Sequence, residues 1–163
     1  MAAETANQKS SKPKTIDALD NKIIKLLQKD GRISNTDMAK SLKMSEAAIR
    51  ARVKRLIDEE IVQIVAVSNP LRLGFHITGD LYIDVEMAKI DRVLEALQRL
   101  PELWYIVMTT GETNINAEFV VKSLDDLNDL VYHKMSAIDG IRKVSTSVIM
   151  KYVKRNYEFG TGF

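Results

Sequence analysis

Apolar positions along the first third of the chain recur at helical intervals. Ile16, Leu19, Ile23, Leu26 and Leu27 share one face, which predicts an amphipathic helix with Thr15 placed to cap its start. Asp30-Gly31 stops it, Gly31 being able to take the left-handed conformation. Ser34-Asn35-Thr36-Asp37 reads as a capping box in which the Ser34 hydroxyl accepts from the Asp37 amide and the Asp37 carboxylate reaches back to the Ser34 amide. Met38, Ala39 and Leu42 follow as the apolar face of a short second helix. After a tight Lys43-Met44 connection, Ser45 caps a third helix whose stripe is Ile49, Val53, Leu56 and Ile57. Three helices with a short second one and a turn of about three residues have the layout of a helix-turn-helix.

From Ile61 the period changes. Ile61–Val67 is a β-branched, nearly continuous apolar run and predicts a strand covered on both faces. SNPLRLG, with Pro70 and Gly74, is a linker. Beyond it apolar and polar positions alternate. Leu81, Ile83 and Val85 lie on one face of a strand, with Asp80, Tyr82 and Asp84 on the other. Ile90, Val93, Leu94 and Leu97 predict a helix, LWYIVMT a second strand, and Ile115, Ala117, Phe119 and Val121 a third. Ser123 and Asp126 form another capping box before a helix carrying Leu127, Leu130, Val131 and Met135. Asp139-Gly140 turns the chain into a last strand through Val144, Thr146, Val148 and Met150. The order is βαββαβ, the ferredoxin-like split unit, with both helices on one face of an antiparallel sheet. The other face carries Tyr82, Val120 and Ile149 among polar groups such as Glu118, and a second copy of the chain is its simplest cover.

The fold class is therefore α+β: an N-terminal winged helix-turn-helix plus a C-terminal ferredoxin-like domain. We expect a disordered tail over 1–14, the helix-turn-helix over 15–60, strand and linker over 61–76, the ferredoxin-like domain over 77–154 and a tail over 155–163.

Charge sharpens the picture. Residues 1–60 hold 13 Lys/Arg against 9 Asp/Glu, while the remainder holds 11 against 13, so the basic part is the one suited to a polyanion. The chain has no cysteine and two histidines, His76 and His133, which leaves no thiolate site and argues against zinc. No apolar run is long enough to span a membrane, and the N-terminus lacks the apolar stretch of a signal peptide, so a cytoplasmic location is expected. No nucleophile–base pair, metal cluster or phosphate loop stands out, so we expect no enzyme activity, no catalytic residue, no metal and no cofactor.

The third helix carries the chemistry. Away from its stripe it presents Glu46, Ala47, Arg50 and Lys54, flanked by Arg52 and Arg55. A reading helix needs small residues for close approach, long donors for base edges and cations for phosphates. Arg50 suits a bidentate contact with guanine, Glu46 a cytosine amino group and Ala47 a thymine methyl. With Ser34, Asn35, Lys43 and Ser45 around the turn, these residues form the candidate DNA-binding set. Lys9, Lys12 and Lys14 would at most be a basic arm. Trp104 and Tyr105, adjacent on a strand, should point to opposite faces, one of them into the core. His76, His133 and the run Lys151, Lys154 and Arg155 read as surface.

Residues 16–60 match the patterns LDxxIxxLLQxDGRISNxxMAxxL and SxxAIRxRVxRL and so resemble the DNA-binding domain of the Lrp/AsnC (feast/famine) transcription regulators. The βαββαβ half is similar in layout to that family's amino-acid-sensing domain. The resemblance implies a DNA-binding regulator that dimerises through the strand after the third helix and through face-to-face sheets, with tetramers or octamers beyond. It also implies an effector amino acid held near the loop between the second and third strands, where members tend to read Gly-Asp-x-Asp. Here that loop is Gly111, Glu112, Thr113 and Asn114. Asn114 is neutral where a carboxylate is usual, and an amide pairs with an ammonium more weakly; a polar ligand such as glutamine suits it better than an apolar one. Two other readings remain: a DNA-compacting protein without effector, and a tetrapyrrole-modifying enzyme on the same architecture.

Overall fold

The computed structural model describes residues 16–154, which form two compact units, one reaching to Ala66 and the other spanning Val67–Lys154. The expected tails over 1–14 and 155–163, the Lys9, Lys12 and Lys14 arm, the Thr15 cap and Arg155 lie outside the described residues.

The first unit contains α1 (Ala18–Lys29), α2 (Asn35–Leu42) and α3 (Glu46–Asp58). α1 is capped by Asp17 in a reciprocal box with Asp20, two residues beyond Thr15. It stops where expected, on Asp30 in an extended conformation, whose carboxylate accepts from the Arg32 amide, but Gly31 takes no positive φ, so the left-handed glycine is corrected. The box at α2 is only half formed. Ser34 Oγ accepts from the Asp37 amide at 3.1 Å, but its hydroxyl donates to the Asp37 carboxylate at 2.6 Å, which therefore does not turn back to the Ser34 amide. The left-handed residue that closes α2 is Lys43, with φ 54°. Ile23, Ile24, Leu27, Met38, Ala39, Ile49 and Leu56 form the core of this unit. Ile57, assigned to the α3 stripe, is 42% exposed; Val53 and Leu56 before it and Ile61 and Val62 after it make the contacts to this core instead.

Residues 62–69 pair with no strand among the described residues, and Ile64, Val65 and Val67 are exposed. The expected strand at Ile61–Val67, and with it the wing, is not formed within one chain. A strand needs a partner, and the described part of a single chain offers it none.

The second unit contains β1 (Ile77–Val85), α4 (Ile90–Gln98), β2 (Leu103–Met108), β3 (Ile115–Val121), α5 (Leu124–Asn128) continued by a π-helical segment (Asp129–Met135), and β4 (Ile141–Val148). The sheet order β2-β3-β1-β4, antiparallel throughout, is that of the ferredoxin-like unit. Alternation puts Leu81, Ile83, Val85, Ile115, Ala117, Phe119 and Val121 under Val93, Leu97, Leu130 and Met135. The i→i+5 closure of the π segment brings Leu130 and Met135, five apart, onto one buried face. Met150 lies past β4 and is 99% exposed, so the last strand is shorter than its alternation suggests. Trp104 and Tyr105 are both exposed, because a bulge between Leu103 and Tyr105 breaks the alternation that would have buried one of them.

Candidate nucleic-acid interface and ligand loop

Ser34 and Ser45 cap the two helices of the turn, and both are exposed. The N-terminal turns of α2 and α3 carry the positive ends of their helix dipoles, a natural place for phosphate or carboxylate oxygens. A carboxylate already occupies part of that field. Thr36 Oγ1 on α2 donates to Glu46 Oε2 on α3 at 2.9 Å, and Glu46 Oε1 pairs with Arg50 Nη2. The Thr36 bond and the Arg50 charge hold the Glu46 carboxyl below its ordinary range. Glu46 is therefore engaged within the protein and does not stand open as a cytosine acceptor.

Arg52 and Arg55 are also engaged, on the flank of α3 that faces α1. Arg52 Nη1 lies 2.6 Å from Asp17 Oδ2 and 2.8 Å from Asp20 Oδ1, and Arg55 Nη2 lies 2.6 Å from Asp20 Oδ2. With Ala48 and Ala51 these four residues line a cleft of about 490 Å³ between α1 and α3. Asp20 is 1% exposed. Burial pushes its carboxyl up, but the Asp17 amide and the two guanidinium groups outweigh this and bring it down to about 2. Arg52 and Arg55 thus tie α3 to α1, and any phosphate contact expected of them competes with Asp17 and Asp20 for the same guanidinium groups.

One sequence signal points to this arrangement. Asp20 falls between Ile16 and Ile23 on the apolar stripe of α1, and a carboxylate there requires buried cationic partners. Spacing alone does not say which arginines supply them.

What remains open on α3 is a narrow face. Ala47, Arg50, Ala51 and Lys54 are exposed, with the Arg50 side chain 68% and that of Lys54 74% accessible. Ala51 belongs to this face and was not singled out by sequence reasoning, although it follows Ala47 by one helical turn. Lys43 is exposed and Asn35 half-buried at the turn. Lys54 pairs with Asp58 at 2.5 Å, an exposed i,i+4 pair that a phosphate can displace. Lys54→Ala should weaken binding to all duplexes alike and lower the slope of log affinity against log salt by about 1. Filter binding from low to high salt checks this, and a sequence-dependent loss would contradict it.

In the second unit the β2–β3 loop is exposed at Gly111 and Glu112 and half-buried at Thr113 and Asn114. Gly111 sits at φ +128°, with open space where a Cβ would project. Thr109 Oγ1 donates to the Thr113 carbonyl at 2.9 Å. Asn114 is woven into the sheet: its amide donates to the Ile83 carbonyl and its side-chain oxygen accepts from the Val85 amide at 3.0 Å. That bond satisfies β1 where its register with β4 shifts. The Asn114 oxygen is thus taken, and its NH2 group is left as a donor. His76 and His133 are exposed, as expected.

Among the described residues no helix is long and apolar enough to cross a membrane. The family model of the AsnC-type helix-turn-helix domain matches residues 16–57, and that of the Lrp/AsnC ligand binding domain matches residues 81–159. An uncharacterized HTH-type transcriptional regulator of Pyrococcus abyssi is 36% identical over 143 residues, 87% of this chain and 90% of that protein. The HTH-type transcriptional regulator LrpA of Pyrococcus horikoshii is 31% identical over 85% of this chain and 99% of its own. Among solved structures, E. coli AsnC superposes with a TM-score of 0.81 at 24% identity, covering 88% of this chain and 97% of that one. A transcriptional regulator from Neisseria meningitidis, solved as a complex with L-Met, gives a TM-score of 0.84 at 20% identity over 91% and 98% of the two chains.

Proposed function

The chain belongs to the Lrp/AsnC family of DNA-binding transcription regulators, and from that premise we propose that it binds duplex DNA sequence-specifically through α3 under the control of an amino-acid-like effector. The observation that carries the DNA half is the open face of Ala47, Arg50, Ala51 and Lys54. Two alanines let the helix approach the floor of the major groove, one long planar donor reaches a base edge and one lysine meets a phosphate. Ser34, Asn35, Lys43 and Ser45 stand at the rim for backbone contacts, with α2 crossing the phosphates.

The working species is a dimer or an assembly of dimers in the cytoplasm, since a single α3 reads too few base pairs to be selective. Two surfaces favour it: the exposed run through Ile64 and Val65, and the sheet face bearing Tyr82 and Tyr105. The effector reading rests on Gly111, Glu112, Thr113 and Asn114 and on the L-Met bound by the Neisseria relative. With its oxygen on Val85, Asn114 offers a donor, which suits a ligand carboxylate or carbonyl, while Glu112 suits an ammonium.

Footprinting of the full chain on DNA upstream of its own coding sequence, with and without each amino acid, tests this reading. Protection of a defined site that shifts with one amino acid is expected. Protection unchanged by all of them favours an effector-independent DNA-packing protein, and no protected site overturns the regulator. Arg50→Ala should weaken the protected site by about 1–3 kcal/mol and relax preference at one base pair. Unchanged binding in a gel-shift titration would place the reading face elsewhere.

A further inference from the structure

The reading residue Arg50 does not stand alone. Arginine has many rotamers and five donors, so an unsupported one on an exposed helix face meets phosphates and bases indiscriminately. Here its partner is itself fixed. Glu46 lies one turn earlier on α3, and its second oxygen is held at 2.9 Å by the hydroxyl of Thr36, ten residues back on α2. The chain of contacts Thr36–Glu46–Arg50 therefore ties the direction of the guanidinium to both helices of the turn. The remaining N–H groups of Arg50 stay available, since the pair occupies Nη2 alone among its nitrogens.

We propose that Glu46, anchored by Thr36, is a positioning residue for DNA reading that aims Arg50 at a base and withholds it from phosphates. This rests on the reading of Arg50 as the base contact and deepens it. The carboxylate contributes in two ways. It fixes the rotamer before binding, so less freedom is lost on docking. It also places a negative charge beside the phosphates, which disfavours every duplex on which Arg50 cannot recover the loss by a bidentate base contact. Glu46 thereby raises selectivity at the expense of general affinity, the opposite of what a base acceptor or a phosphate contact does.

A duplex selected by the full chain from a random pool, its single-base-pair variants and random DNA supply the test. Glu46→Gln should lower the ratio of selected to random affinity about tenfold, within the range one bidentate contact supplies, at the base pair that Arg50→Ala relaxes. Affinity for random DNA should hold or rise, which also shows that the fold is kept. In the Arg50→Ala background, Glu46→Gln should change the ratio less than about twofold, because partners in one unit are not additive. Thr36→Val should act in the same direction by about threefold, as loss of one hydrogen bond does. Two results overturn the proposal with Arg50 still confirmed as the reader: Glu46→Gln tightening all duplexes with the ratio intact, or its effect falling on another base pair and adding fully to that of Arg50→Ala. An Arg50→Ala ratio equal to that of the unaltered chain overturns the reading of Arg50, and the positioning role with it.

Discussion

Asp20→Ala should destabilise the N-terminal unit by about 2–3 kcal/mol, because it removes the buried carboxylate that two half-exposed arginines share. Asp20 is 1% exposed and receives Arg52 at 2.8 Å and Arg55 at 2.6 Å, together with the Asp17 amide at 3.0 Å. Alanine removes the acceptor for all three donors, the Asp17 amide among them, which is the reciprocal half of the α1 cap. Because α3 is held to α1 through these contacts, the reading face loses its mounting as the unit loosens. Thermal unfolding followed by far-ultraviolet circular dichroism checks this. A melting temperature unchanged within a degree would show that the cluster is solvated and adds nothing.

The same cluster makes the unit acid-sensitive in a defined window. The Asp20 carboxyl sits at about 2 against an ordinary 3.8, so the folded state holds its proton less tightly than the unfolded chain. The resulting stability is fully present above pH 3.8 and is lost as pH falls through that value toward 2. At about 1.4 kcal/mol per pH unit it amounts to roughly 2–3 kcal/mol. Urea midpoints measured between pH 5 and pH 2 should fall for the unaltered chain and fall less for Asp20→Asn, which has no proton to bind there.

The two halves differ in how far the sequence discloses them. Helical stripes and strand alternation report which side of an element is buried. They were enough to place α1 to α5 and all four strands of the second unit, and to assign the βαββαβ order. They do not report which polar groups meet across elements. Arg52 and Arg55 looked like phosphate contacts because their partners lie 35 positions away on α1. Glu46 looked like a base acceptor because the Thr36 hydroxyl comes from another helix. Asn114 looked free to meet a ligand because the Val85 amide that holds its oxygen is 29 positions away. In each case a group that reads as free has a partner within the protein, and each pairing depends on a tertiary juxtaposition that no local period encodes. The run Ile61–Val67 fails for a different reason. Its β-branched composition states what the backbone prefers, but a strand also needs an edge to bind, and composition does not say whether that edge is in the same chain.

A second copy of the chain would supply such an edge. Two antiparallel copies of residues 61–67 would pair isologously, each covering the other's Ile64 and Val65, which are 48% and 62% exposed in one chain. Val65→Pro tests this, since proline removes an amide donor and is excluded from a paired strand interior. Symmetry puts the change in twice, so two ladder bonds and their flanking geometry are lost. The cost is about 2–3 kcal/mol, a rise of roughly 30–150-fold in the dimer dissociation constant. The substituted residue is exposed in the single chain, so α1 to α3 should keep their stability. DNA binding should suffer more than the dimer does. Reading two half-sites roughly one helical turn apart requires two α3 helices at fixed separation, and the second contact is worth about 10²–10⁴ in avidity only while they are coupled. Sedimentation velocity at micromolar concentration should show monomer in the variant, and titration of a paired site should approach the affinity and salt slope of a single half-site. A variant that remained dimeric and bound the paired site unchanged would show that the uncovered sheet faces alone hold the subunits together, and that Ile61–Val67 is exposed for another purpose.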